Sequence, residues 1–155
     1  MRIAVGTDHG GFELKKGLIR ELKASGHTVQ DMGTFSPAPC DYPVIGAKVA
    51  QAVSRGRADR GLLLCKSGAG MSIVANKFPG VRAAVCQTIS AAKLAREHND
   101  ANVLVLGASH LDLSRSKAIL TGWMKTPFAG GRHARRVHQI ELIERNIHQQ
   151  SSSRK

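Results

Sequence analysis

The chain has 155 residues, 42% of them hydrophobic, and a formal charge of +12. That length suits one domain, and that apolar content excludes a disordered chain despite the charge. No run approaches the ~20 apolar residues of a transmembrane helix, and three cysteines do not make a disulfide framework. The N-terminus reads as a strand rather than a signal peptide, so the expectation is a cytoplasmic protein.

Short apolar runs alternate with segments of helical period. Ile3-Ala4-Val5 reads as the first strand. From Phe12 to Ser25, Leu14, Leu18 and Leu22 recur every fourth residue and give a helix one apolar face, which Gly26 ends. Thr28 to Asp31 reads as a short strand, and Gly33 to Pro43, with three prolines, as loop. Ile45, Val49 and Val53 mark a helix from Val44 to Val53. Gly61 to Cys65 is a continuous apolar strand of the kind buried on both faces. A helix follows within Gly68 to Lys77, then a strand at Arg82 to Cys86, a helix at Ser90 to His98 and a strand at Asn102 to Leu106. Leu113 to Met124 and His133 to Gln149 read as closing helices. The expected domain is 1–149, with 150–155 a frayed polar tail.

Repetition of βα units predicts an α/β fold. It is a three-layer α/β/α sandwich, a single Rossmann-like domain with a parallel sheet of about five strands. The pattern leaves the strand order open. Ligands of such sheets bind beyond the carboxyl ends of the strands. The residues there are Asp8-His9, the loop after Cys65, Gln87-Thr88, and Gly107 to His110.

In Cys65-Lys66-Ser67-Gly68-Ala69-Gly70 a buried strand turns into a helix. Its glycines let backbone amides approach an anion, and the helix start and Lys66 favour a thiolate at Cys65. The segment is not a P-loop, because a strand occupies the space before Lys66-Ser67 and no glycine precedes the lysine. Asp8-His9-Gly10-Gly11 places an acid, an imidazole and a turn at the same edge. At Arg132-His133-Ala134-Arg135-Arg136, two arginines four apart stand at a helix start, where they oppose the dipole and repel each other. A bound phosphate relieves both effects, and arginine suits phosphate. A solvated helix start is the plain alternative. Nucleic acid fits poorly, because six aromatic residues in the chain leave the basic knot no stacking platform. No metal-ligand spacing occurs.

Together these segments resemble one family, ribose-5-phosphate isomerase B with the allose- and galactose-6-phosphate isomerases. The matching stretches are Gly6 to Gly11, Asp41-Tyr42-Pro43, Gly68 to Ile73 with Ala75 to Lys77, Arg82 to Cys86, His98 to Leu104, and Gly130 to His133 with Arg136. The likeness runs from residue 1 to about 149. It implies that Cys65 moves a proton between C1 and C2 of an open-chain sugar phosphate and that His98 opens the furanose ring. Ser67, where the family usually has threonine, would place a hydroxyl beside the reacting oxygens, and Asp8 would contact sugar hydroxyls. The amides around Gly68, Ala69 and Gly70, with Asn99, would steady the enediolate. His9, Arg132 and Arg136 would hold the phosphate. The resemblance further implies a homodimer, or a tetramer, with a site shared between subunits, and no cofactor.

Two residues depart from the family pattern. Lys66 stands where glycine is usual, and Ser109 where an arginine of the phosphate site is usual. The expected reaction is interconversion of ribose 5-phosphate and ribulose 5-phosphate, and these two residues leave allose or galactose 6-phosphate, or a tetrose 4-phosphate, as the alternative substrates. A non-catalytic sugar-phosphate-binding protein is the rival of a different class. Cys40 and Cys86 are expected to be structural thiols.

Overall fold

In the computed structural model, which describes residues 1–152, the expected apolar segments form five parallel strands. These are β1 (Arg2–Thr7), β2 (Thr28–Asp31), β3 (Arg60–Cys65), β4 (Ala83–Val85) and β5 (Val103–Gly107). Six α-helices accompany them: α1 (Phe12–Ala24), α2 (Tyr42–Ser54), α3 (Ala69–Ala75), α4 (Ile89–Asn99), α5 (Leu113–Lys125) and α6 (Arg132–Ser152). The sheet order is β2-β1-β3-β5-β4.

The period-two alternation of the strands divides the core. Leu62 and Leu64 of β3 join Ile3, Val5, Leu104 and Leu106 under α1, α4 and α5, with Trp123 fully buried among them. Leu63 and Cys65 join Ala4, Val103 and Val105 under α2 and α3. That covering on both faces explains the unbroken Leu run in β3.

The order places a reversal on each side of β3. The chain leaves β1 and β5 toward the face of α1 and α5, but leaves β3 toward the opposite face. Crevices therefore open on both flanks of the carboxyl end of β3, where Cys65 stands.

Two boundaries differ from expectation. α2 begins at Tyr42, because Pro43 falls in its first turn, where its missing N–H costs nothing. α6 continues to Ser152, so the backbone is helical at 150–152 where a frayed tail was expected. The remainder of that expected tail lies outside the described residues. No helix among the described residues is long and apolar enough to cross a membrane.

Candidate active site

Three turns meet at the carboxyl edge of the sheet. After β1, Asp8 caps a short 3-10 turn (His9–Gly11), its Oδ1 accepting the Gly10 N–H at 2.9 Å. Asp8 is only 7% exposed, whereas His9 is open to solvent. After β3, the Cys65 sulfur, also buried, accepts the N–H of Gly68 at 3.1 Å. Gly68 holds φ at +86°, a left-handed conformation that glycine adopts without penalty, and this turns its amide back onto the sulfur. Ser67 Oγ accepts the Ala69 N–H at 3.3 Å as α3 begins. After β5, the Ser109 N–H donates to the Lys66 carbonyl at 3.0 Å. Asp8, His9, Cys65, Lys66, Ser67, Gly68, Ala69, Gly70 and Ser109 thus share one edge.

Tyr42 joins them. A side-chain carbon at Gly70 would stand 2.6 Å from its ring, so the ring lies directly on the turn leading into α3. From sequence Tyr42 falls in the expected loop and in a matching stretch, with no role of its own. Its signal was available as the single tyrosine of the chain, next to a helix-starting proline.

The three cysteines are not alike. Burial alone pushes the Cys86 thiol up to about 11, which makes it an inert core group. Cys40 is half-buried against the α2–α3 side of the core. Among the three, Cys65 alone has a backbone N–H on its sulfur among the described residues.

The other candidates lie elsewhere. His98 and Asn99 end α4, which runs back from the carboxyl edge to the amino edge. Arg82, just before β4, donates from Nε to the carbonyls of Asn99 and Asp100, both at 3.1 Å. The six residues of β3 span roughly 20 Å at ~3.3 Å per residue, and that length separates the two edges. One chain therefore does not bring His98 and Asn99 to Cys65.

At the amino edge, the His98 ring stacks on that of His133, with centroids 4.2 Å apart and planes 3° from parallel. His133, in the first turn of α6, is 9% exposed. Burial holds its imidazole below the ordinary range, and the charges of His98, Arg132 and Arg136 act in the same direction. Arg132 Nε also approaches His133 Nε2 at 3.5 Å. Arg132 and Arg136 stand in the first turns of α6, as the sequence predicts, and Gly130 and Gly131 precede them. The sequence places His133 in the basic knot, at the start of the last helix and in a matching stretch, but its stacking on His98 was not foreseen.

Near this cluster, a groove of about 600 Å³ separates α6 from β4 and is lined in part by Ala83, Ala84, Ile140 and Ile143. Val85, Ile89, Ile140 and Ile143 are each at least 40% exposed.

With this geometry in view, the comparisons decide the kinship. The model of the Ribose/Galactose Isomerase family matches residues 3–140. The chain belongs to that family. Within the family, ribose-5-phosphate isomerase B of Escherichia coli strain K12 is 45% identical over 143 residues, covering 92% of this chain and 96% of that one. The solved structure of Clostridium thermocellum ribose-5-phosphate isomerase B superposes with a TM-score of 0.93 at 48% identity, covering 95% and 99% of the two chains. The Mycoplasma genitalium ribose-5-phosphate isomerase B structure with bound ribulose-5-phosphate superposes at 0.90, with 37% identity and 93% and 96% coverage. These likenesses establish the Rossmann-like α/β fold and the isomerase class.

Proposed function

We propose that the chain interconverts ribose 5-phosphate and ribulose 5-phosphate through an enediolate. The observation that carries this reading is Cys65 at the end of the central strand, with the Gly68 N–H on its sulfur and Asp8 and Ser67 beside it on the same edge. Aldose–ketose exchange needs a base for the proton on C2 and donors for the oxyanion that forms.

In this mechanism the Cys65 thiolate takes the C2 proton, and the electron pair of that bond forms the C1–C2 double bond. Negative charge collects on O1, where the turn of Gly68, Ala69 and Gly70, together with Asn99, meets it. Transfer of the O2 proton to O1 then moves the charge to O2. The O2 pair forms the C2 carbonyl, and the C1–C2 pair takes the proton back from the thiol at C1, which leaves a ketone at C2. Ser67 passes protons between the oxygens, Asp8 orients the hydroxyls, and His98 opens the ring. His9, Arg132 and Arg136 hold the phosphate, whose binding energy steadies the reacting carbons from a distance. No cofactor enters, because the proton shift is internal.

The separation of the two clusters supports one further element of the reading. The chain acts as a cytoplasmic homodimer, or a dimer-based tetramer. His98, Asn99, Arg132 and Arg136 of one copy complete the Cys65 cluster of the other. The exposed apolar residues beside β4 and α6 offer the surface such an assembly buries.

An isomerase assay across pentose, hexose and tetrose phosphates tests the reading. The expected result is the highest kcat/KM for ribose 5-phosphate. A clear preference for a hexose or tetrose phosphate would reassign the substrate, and no turnover on any of them would favour a sugar-phosphate-binding protein.

A further inference from the structure

Lys66 is a solvent-exposed cation directly after the proposed base, yet it forms no ion pair among the described residues. Its backbone is held in place, since its carbonyl accepts the Ser109 N–H at 3.0 Å. Its stem runs over the first turn of the edge. A side-chain carbon at Gly10 would stand 3.2 Å from the Lys66 backbone nitrogen and 3.5 Å from its Cγ. The turns after β1, β3 and β5 therefore converge on this one residue.

The direction of the side chain matters. Leu64 packs toward α1 and Cys65 toward α3, as strand alternation requires. Lys66 follows Cys65 and lies against Gly10, on the α1 side, while the sulfur faces Gly68 on the α3 side. The stem of Lys66 and the sulfur thus leave the strand end on opposite sides. The stem lies on the turn that carries the exposed His9, where the remote end of a bound chain molecule would lie.

We propose that Lys66 is the phosphate-holding cation of the carboxyl-edge cluster and that it occupies the space a longer cation at position 109 would otherwise fill. The inference rests on the isomerase reading for its substrate, but not for its ligand, which is a phosphate monoester dianion. Asp8, His9 and His110 are the other titratable groups on these turns. The Asp8 carboxylate accepts the Gly10 N–H, and no ion pair among the described residues joins it to Lys66.

The test uses the full-length protein with Lys66→Met, which keeps the stem and loses the charge, and Lys66→Arg, which keeps the charge. Lys66→Gln serves as a second neutral variant should Lys66→Met fold poorly. For Lys66→Met, KM for ribose 5-phosphate rises about tenfold or more while kcat changes less than about threefold, as for a charged contact made equally in ground and transition states. The inhibition constant of inorganic phosphate rises by the same factor. Lys66→Arg keeps both constants near those of the parent, and Ser109→Arg added to Lys66→Met recovers most of the loss. An unchanged KM and phosphate inhibition constant in Lys66→Met would overturn the proposal. A fall in kcat with phosphate inhibition unchanged would also overturn it, by placing Lys66 at the reacting carbons. If the parent protein isomerises no sugar phosphate, the functional reading fails separately. Calorimetric titration with inorganic phosphate then decides this one: weaker binding to Lys66→Met sustains it, and equal binding refutes it.

Discussion

The two edges of the sheet are built differently. At the carboxyl edge, the turns after β3 and β5 are joined by a backbone hydrogen bond, the turn after β1 packs against Lys66, and the reactive groups, Cys65 and Asp8, are buried with an N–H donor on each. At the amino edge, the groups belong to helix ends and are mainly cationic or imidazole: His98, His133, Arg132 and Arg136. The first edge has the parts of a proton-transfer centre without strong anion-holding power beyond His9 and Lys66. Under the proposed function, the second supplies the arginines for the phosphate and the imidazole that opens the ring. Each site then needs the groups of both edges, which the proposed pairing of two copies brings together.

Substitutions can break this division of labour one side at a time. The largest effect is expected from Cys65→Ala, which removes the base: kcat falls by roughly a thousandfold, within the span typical of lost general-base catalysis. Steady-state rates measure it, and retention of more than a few per cent of turnover would displace Cys65 from its role. Arg136→Ala acts on the other edge and mainly raises KM, by about ten- to a hundredfold, as loss of a charge-assisted contact to phosphate predicts. An unchanged KM would remove Arg136 from the phosphate site.

The smallest effect concerns stability. The His133 imidazole is held below its ordinary range in the folded chain, so on acidification the unfolded chain binds its proton first. Stability is therefore full above the unfolded value near 6.5 and is lost as the pH falls from there toward the lower folded value. Melting temperatures between pH 7.5 and 5 should show this decline, and His133→Gln should make it shallower. His27, also held low by burial, contributes the same sign and leaves part of the slope in place.

Much of the carboxyl edge could be read from residue order alone. A continuous Leu run ending in Cys65 and then Ser67-Gly68-Ala69-Gly70 states a buried strand, a turn and a helix start, because each step has its own residue chemistry. Strand order could not be read, since a βα unit of given length can cross to either side of its neighbour. The remoteness of His98 was implicit in the same pattern: a helix that returns from a strand's carboxyl end must finish at the opposite edge. Its stacking on His133 was not, because it depends on where α6 crosses α4, and no local periodicity encodes that crossing.

The central claim is that each site draws on two chains, and mixed dimers test it most directly. Cys65→Ala and His98→Ala/Arg132→Ala, each close to inactive alone, are unfolded together and refolded. If the clusters complete one another across a two-fold interface, each mixed dimer regains one intact site. Random pairing then restores about a quarter of the parent activity. Activity no greater than the sum of the two variants alone would contradict a shared site and return every catalytic group to a single chain.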